Sequence, residues 1–197
     1  MINLQMHNKF NVPSISIIVL KMCLCLGPVK SGKTFLMKRL QGDEIDNATH
    51  TVSTNGINLF TIKNSTGEFD MIIKEIGGSM APIWKHYFEK TRKLIYVIDT
   101  SNLCQISAAG VLLYSLLLDP KLRNIKIALT LNKMDLSYRQ MRNEALLILH
   151  YSRLQKEATQ ELSIFETSGM TGQGIEELRN WLFDPTTLKS AINANNN

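Results

Sequence analysis

Cysteine is scarce in this chain: Cys23, Cys25 and Cys104 are the only three among 197 residues. An odd number without metal-ligand spacing argues against a disulfide scaffold or a zinc site and suits a reducing compartment. A long uninterrupted apolar run is also missing. Lys21 breaks the stretch from Ile15 to Leu26, which is in any case shorter than a membrane span. Lipid-attachment signals are lacking as well, because Ile2 rather than Gly follows Met1 and the last residues are Asn195, Asn196 and Asn197. No lipid anchor is expected, which leaves peripheral membrane contact. The net charge is +5, but Lys and Arg are scattered rather than massed, so no nucleic-acid partner is expected.

What is present suits one ordinary α/β domain with a full core. The chain is too short for two such domains, and at 44% hydrophobic and 20% charged its composition is that of a globular protein. A buried strand ending at Leu26 is followed by glycine-rich sequence and then by helical spacing over Lys33 to Leu40. The polar stretch from Gly42 to Asn55 reads as a long connection. Two strand-like runs come next, Ile57 to Lys63 and Glu68 to Ile76, joined through Asn64, Ser65, Thr66 and Gly67 as a hairpin. A segment containing Trp84, Tyr87 and Phe88 leads to a strand at Leu94 to Ile98, a helix through Leu116 and a strand at Ile125 to Leu131. A long helix from about Arg139 to Lys156, a short strand at Leu162 to Phe165 and a closing helix at Ile175 to Leu182 complete the pattern. Alternating strands and helices predict a mostly parallel six-stranded sheet with helices on both faces. The expected organisation is a flexible extension over 1–14, the domain over 15–185 and a disordered tail over 186–197.

The strongest local signal is Gly27-Pro28-Val29-Lys30-Ser31-Gly32-Lys33-Thr34, a full phosphate-loop match placed between a strand and a helix. Its glycines let backbone N–H groups curl around phosphate, and the helix beginning at Lys33 adds its positive end. Lys33 is expected to reach the β- and γ-phosphates, and the Thr34 hydroxyl to ligate magnesium. Val29, Lys30, Ser31, Gly32 and Phe35 complete the expected nucleotide contacts of this segment. A phosphate loop does not name the base, since kinases, ATPases and GTPases share it. Asn132-Lys133-Met134-Asp135, after a later strand, does. An ionised Asp135 only accepts hydrogen bonds, so it suits the paired donors of guanine and would face an acceptor nitrogen in adenine. Lys133 can lay its stem along the base. Alone, the tetrapeptide reads more readily as a helix-capping turn; its place after a phosphate loop and at the end of a later strand favours the base pocket.

With these motifs the chain resembles the Arf-like small GTPases over about Met22 to Leu182. Five segments carry the likeness: the phosphate loop, Thr51-Val52-Ser53-Thr54-Asn55, Glu75-Ile76-Gly77-Gly78, Asn132-Lys133-Met134-Asp135 and Thr167-Ser168-Gly169. Glu75-Ile76-Gly77-Gly78 and Pro82-Ile83-Trp84 place it nearest a divergent branch of that group. The resemblance implies the small-GTPase version of the P-loop fold, with GTP or GDP and magnesium as cofactors. It implies that Thr51 joins Thr34 as a magnesium ligand when GTP is bound, with Glu75 acting through water. Gly78 would give its N–H to the γ-phosphate, and Ser168 and Gly169 would complete the guanine pocket. Implied partners are protein effectors, an exchange factor and an activating protein, around a cytoplasmic monomer associated with intracellular membranes or cilia.

Three departures bear on catalysis. Glu75 stands where the family has Asp, Ser79 where it has the water-orienting Gln, and Val29 brings a branched side chain to the γ-phosphate end of the loop. No catalytic residue is therefore assigned beyond Gly78 and Ser79 at the hydrolytic position, and slow hydrolysis is expected. A competent, partner-stimulated GTPase and a P-loop small-molecule kinase remain the alternatives. His86 reads as a structural or surface residue, and Trp84, Tyr87 and Phe88, on the half-buried face of a helix after the double glycine, suit core packing and an effector face equally.

Overall fold

Strand formation follows the apolar runs. Lys93–Asp99, with Leu94, Ile95, Tyr96, Val97 and Ile98 in sequence, is buried at every position. That is the pattern of a parallel strand covered on both faces. A computed structural model describes residues 22–46, 52–64, 70–89 and 91–184. Its strands are β1 (Met22–Leu26), β2 (Ile57–Ile62), β3 (Met71–Ile76), β4 (Lys93–Asp99), β5 (Lys126–Asn132) and β6 (Glu161–Glu166). They form one sheet in the order β2-β3-β1-β4-β5-β6. Every pair is parallel except β2 with β3, whose antiparallel register sets Asn58 opposite Glu75. The six strands and the single antiparallel edge match the sequence reading. The expected extension, the tail, and residues 65–67 of the expected hairpin turn lie outside the described residues.

Among the described residues five α-helices cover the sheet: α1 (Lys33–Gln41), α2 (Leu103–Leu117), α3 (Arg139–Ile148), α4 (Tyr151–Glu157) and α5 (Ile175–Phe183). Successive side chains of a strand point to opposite faces, and β1 divides accordingly. Leu24 and Leu26 join a cluster with Ile106 and Leu113 of α2 and Ala145 of α3, whereas Cys23 and Cys25 join Leu36 and Met37 of α1 and Leu178 of α5. Both cysteines are thus packing residues, and burial pushes the Cys23 thiol up to about 12. Each fully buried Leu or Ile contributes about 1.5–3 kcal/mol relative to exposure. Because α1 leaves β1 on one face and α2 leaves β4 on the other, the sheet switches direction between these neighbouring strands. A crevice opens there beyond their carboxyl ends.

Two expectations need correction. The helix expected over Arg139 to Lys156 is two helices, interrupted at His150, whose φ is 49°. Apolar periodicity runs through the break, with Ala145, Leu149 and Leu154 all buried, so the pattern carries no warning of it. His is among the residues that tolerate the left-handed region better than most, and neither Gly nor Pro marks the spot. The segment around Trp84 is a run of 3-10 turns over Gly78–Tyr87 that contains Pro82, rather than an α-helix. Trp84 and Phe88 belong to the core, Trp84 Nε1 donating to the Gly77 carbonyl at 3.2 Å, while His86 is exposed.

Candidate functional site

The turn after β1 is built by residues that other side chains could not replace. Gly27 (φ 150°) lies against β4 so closely that a Cβ would stand 2.3 Å from the Val97 carbonyl oxygen. Gly32 (φ 86°) begins α1, and a Cβ there would meet Asn132 Nδ2 at 2.5 Å. Lys30, also left-handed at φ 65°, lies between them. Lys33, the first residue of α1, folds back so that its ammonium donates to the carbonyls of Gly27 (2.9 Å) and Pro28 (2.8 Å). It is only 5% exposed, and burial lowers its pKa, with Cys25 and Glu75 acting in the other direction. No side chain caps the N-terminus of α1, and its first turn holds no acidic residue. An open helix N-terminus with a cation beside it is a cradle for an anion.

Gly78 closes this cradle from the β3 side. A Cβ there would lie 2.3 Å from the Val29 nitrogen, so only glycine lets the backbone approach the loop. Next to it stands an oxygen-rich group. Thr34 Oγ1 donates to Glu75 Oε1 at 2.6 Å and lies 3.0 Å from Thr54 Oγ1, and Asn58 Nδ2 donates to Glu75 Oε2 at 3.0 Å. Two hydroxyls and one carboxylate are hard donors, suited to a small divalent cation that takes its remaining ligands from phosphate and water. Among the described residues no cluster of three or more His, Cys, Asp or Glu exists that could hold a metal alone. Thr51 lies outside the described residues. Thr54, which sequence reading left without a role, is the threonine beside Thr34, and its signal was its position two residues before Gly56, whose carbonyl accepts the Gly77 N–H at 3.0 Å.

At the other end, three loops are knitted together by side chains. Asn132 is buried; its Nδ2 donates to the Ser31 carbonyl (2.9 Å) and its Oδ1 accepts from Thr167 Oγ1 (3.1 Å). Asn132 therefore joins the phosphate loop to the loop after β6 from the wall of the pocket. Lys133 takes a left-handed turn (φ 64°) and its ammonium pairs with Asp99 Oδ2 at 2.6 Å. Asp135 Oδ1 accepts from Ser168 Oγ at 2.5 Å. Gly169 packs so tightly on Phe35 that a Cβ would lie 2.6 Å from its ring. Asp99, Thr167 and Arg39, whose guanidinium holds the Gly169 and Met170 carbonyls, were not assigned roles from sequence. Each is visible only once separate loops are brought into contact.

The phosphate cradle, the oxygen-rich group and the Asp135 loop face one cleft of about 640 Å³, in the range of small-molecule sites. Val29, Lys30, Gly32, Lys33, Thr34, Phe35, Glu75, Gly78, Ser79, Asn132, Lys133, Asp135 and Gly169 from the sequence reading all reach it. Ser31 and Ser168 are buried. Ser79 is exposed at the mouth next to Gly78. No helix among the described residues is long and apolar enough to cross a membrane.

Residues 18–186 match the model of the ADP-ribosylation factor family. Human ADP-ribosylation factor-like protein 16 is 33% identical over 169 residues, covering 82% of this chain and 84% of the relative. Arabidopsis thaliana ADP-ribosylation factor 3 is 30% identical over 169 residues, covering 85% and 87%. Among solved structures, the Arl6 BBS3 small GTPase of Trypanosoma brucei, with the bound nucleotide analogue GppNp, superposes with a TM-score of 0.71 at 22% identity. That match covers 85% of this chain and 97% of the other, and it supports the fold. The phosphate cradle, the Asp135 pocket and these matches lead to one conclusion: the chain belongs to the ADP-ribosylation factor family, as an Arf-like small GTPase of the guanine-nucleotide-binding kind.

Proposed function

We propose that the protein is a GTP/GDP switch whose intrinsic hydrolysis is slow, so that its active period is governed by nucleotide exchange or by an activating partner. The observation that supports this most directly is the convergence on one cleft of Lys33 and Thr34 with Asp135, whose carboxylate the buried Ser168 holds. Lys33 and the N-terminal amides of α1 hold the phosphates, and Asp135 reads the paired donors of guanine. Magnesium, when bound, supplies positive charge against the phosphate oxygens; Thr34 and Thr54 would hold it directly and Glu75 directly or through water. Thr54 is preferred to Thr51 because its hydroxyl already lies 3.0 Å from that of Thr34. Gly78 and the loop carrying Thr54 are the parts that γ-phosphate would order, which is how the family presents a nucleotide-dependent surface to effectors.

Slow hydrolysis rests on Ser79 and Val29. Ser79 sits at the mouth of the cleft with a hydroxyl too short to orient a water as a Gln carboxamide does, and Val29 occupies the lip. Effectors and exchange factors at intracellular membranes or cilia follow from the family alone. The test loads purified protein with GTP labelled at the γ-phosphate and follows label release over hours. Retention of intact GTP supports the proposal, and rapid unassisted release overturns it. An Asp135→Asn control that still holds GDP as tightly as the wild type would remove the guanine pocket from the account.

A further inference from the structure

Asp135 is the residue placed to read a base in the cleft, and no hydrogen bond from its own loop fixes where its carboxylate points. The hydrogen bond from Ser168 Oγ does, and Ser168 belongs to the loop after β6. That loop, residues 168–174 between β6 and α5, is tied to itself at Ser168, whose N–H donates to the Gln173 carbonyl at 3.0 Å, whose carbonyl accepts from the Gly172 N–H at 2.9 Å and whose Oγ accepts from the Thr171 N–H at 3.1 Å; these bonds set its internal shape, not its place against Asp135. Two contacts from α1 press it into place. Phe35 packs under Gly169, and Arg39, one turn further along the same helix, donates from Nε to the Gly169 carbonyl at 2.8 Å and from Nη2 to the Met170 carbonyl at 2.6 Å. Both are charge-assisted, and the planar guanidinium can satisfy adjacent carbonyls in a way a single ammonium cannot.

We infer that Arg39 is a positioning residue for base selection: by clamping the carbonyls of residues 169 and 170 it holds Ser168, and through Ser168 the Asp135 carboxylate, in the geometry that discriminates guanine. The inference rests on the reading of the cleft as a guanine-nucleotide site. Arg39 touches neither Asp135 nor the cleft face, so its effect falls on selectivity more than on phosphate holding. Because the clamp starts from α1, whose N-terminus carries Lys33 and Thr34, it ties the base loop to the same helix that holds the phosphates.

The experiment measures dissociation of GDP and of inosine diphosphate, which lacks the 2-amino group, from the full chain carrying Arg39→Met or Arg39→Lys. Wild type is expected to hold GDP at least tenfold longer than inosine diphosphate. The ratio is expected to fall about fivefold or more in Arg39→Met and less in Arg39→Lys, which keeps one donor for one carbonyl. An equal acceleration of both ligands in Arg39→Met, with the ratio kept, marks a merely structural role and overturns the inference. Should Arg39→Met not fold, an unchanged ratio in Arg39→Lys overturns it, and a lowered one supports it. A wild type that retains neither ligand overturns the reading of the cleft and this inference with it; discrimination that survives both substitutions overturns this inference alone.

Discussion

Two lysines at opposite ends of the sheet look alike by every simple measure and have opposite meanings. Lys33, beyond the carboxyl end of β1, is 5% exposed and donates to the Gly27 and Pro28 carbonyls. Lys93, at the amino end of β4, is 4% exposed and donates to the carbonyls of Trp181 (2.6 Å) and Leu182 (3.0 Å), with its ammonium 5.1 Å from the centre of the Trp181 ring. What separates them is the helix end each one meets. Lys93 sits at the C-terminus of α5, where the dipole is negative and the last carbonyls need donors, so the cation completes the structure. Lys33 sits at the N-terminus of α1, where the dipole is positive, so a buried cation there is poorly placed until an anion arrives. Lys33 also lines an open cleft. A buried, satisfied lysine is therefore structural or functional according to the sign of the field around it.

The sharpest way to break this comparison is to remove each ammonium while keeping its stem. Lys33→Met is expected to lower GDP affinity about 100-fold or more while leaving the melting temperature of the nucleotide-free protein unchanged or raised, since a poorly solvated charge has gone. Titration with a fluorescent GDP and thermal unfolding read the two effects. Lys93→Met is expected to do the reverse, costing about 2–3 kcal/mol of stability through lost charge-assisted bonds, with GDP dissociation little changed well below the melting point. If Lys93→Met weakened nucleotide binding as much as Lys33→Met, the division of roles would be wrong.

Alkaline pH gives a smaller effect. Burial depresses the Lys33 pKa below its ordinary 10.5 in the nucleotide-free protein, and bound phosphate would raise it again. Between the depressed value and the value in the complex, binding takes up a proton, so GDP affinity should fall with rising pH by up to about tenfold per unit. The folding linkage has the opposite sign. Unfolded Lys33 keeps its proton up to 10.5 while the folded residue has lost it, so this group's cost to stability is full below the window and is relieved as pH rises through it. Affinity that stayed flat through that window, measured with Lys33→Met as the reference, would show that the Lys33 proton is not needed for phosphate.

The least effect is expected at the rim of the amino end. Lys126 Nζ lies 3.2 Å from Glu161 Oε1, but Glu161 is 61% exposed. Glu161→Gln should therefore change stability by no more than about 0.5 kcal/mol in urea unfolding. A loss comparable to that of Lys93→Met would mean that the charges of this end act as one network.

Sequence alone determined the elements whose signals are local. Six strands appear as apolar runs, and the glycines of the phosphate loop are where the left-handed or close-packed backbone requires them, as at Gly27 and Gly32. Asp135 was legible as a candidate because its tetrapeptide follows a strand that comes after a phosphate loop. What the sequence could not decide was anything resting on contact between distant loops. That Thr54 meets Thr34 and Glu75 is one such contact, because the connection after α1 has no periodicity to fix its path while the β2–β3 pairing does fix where it arrives. Asn132 ties two loops together because each of them supplies one of its partners, and the break at His150 leaves the apolar period undisturbed. The opposed meanings of Lys33 and Lys93 also needed the fold. A lysine's charge is written in the sequence, but the helix end that meets it is chosen by how the chain crosses the sheet.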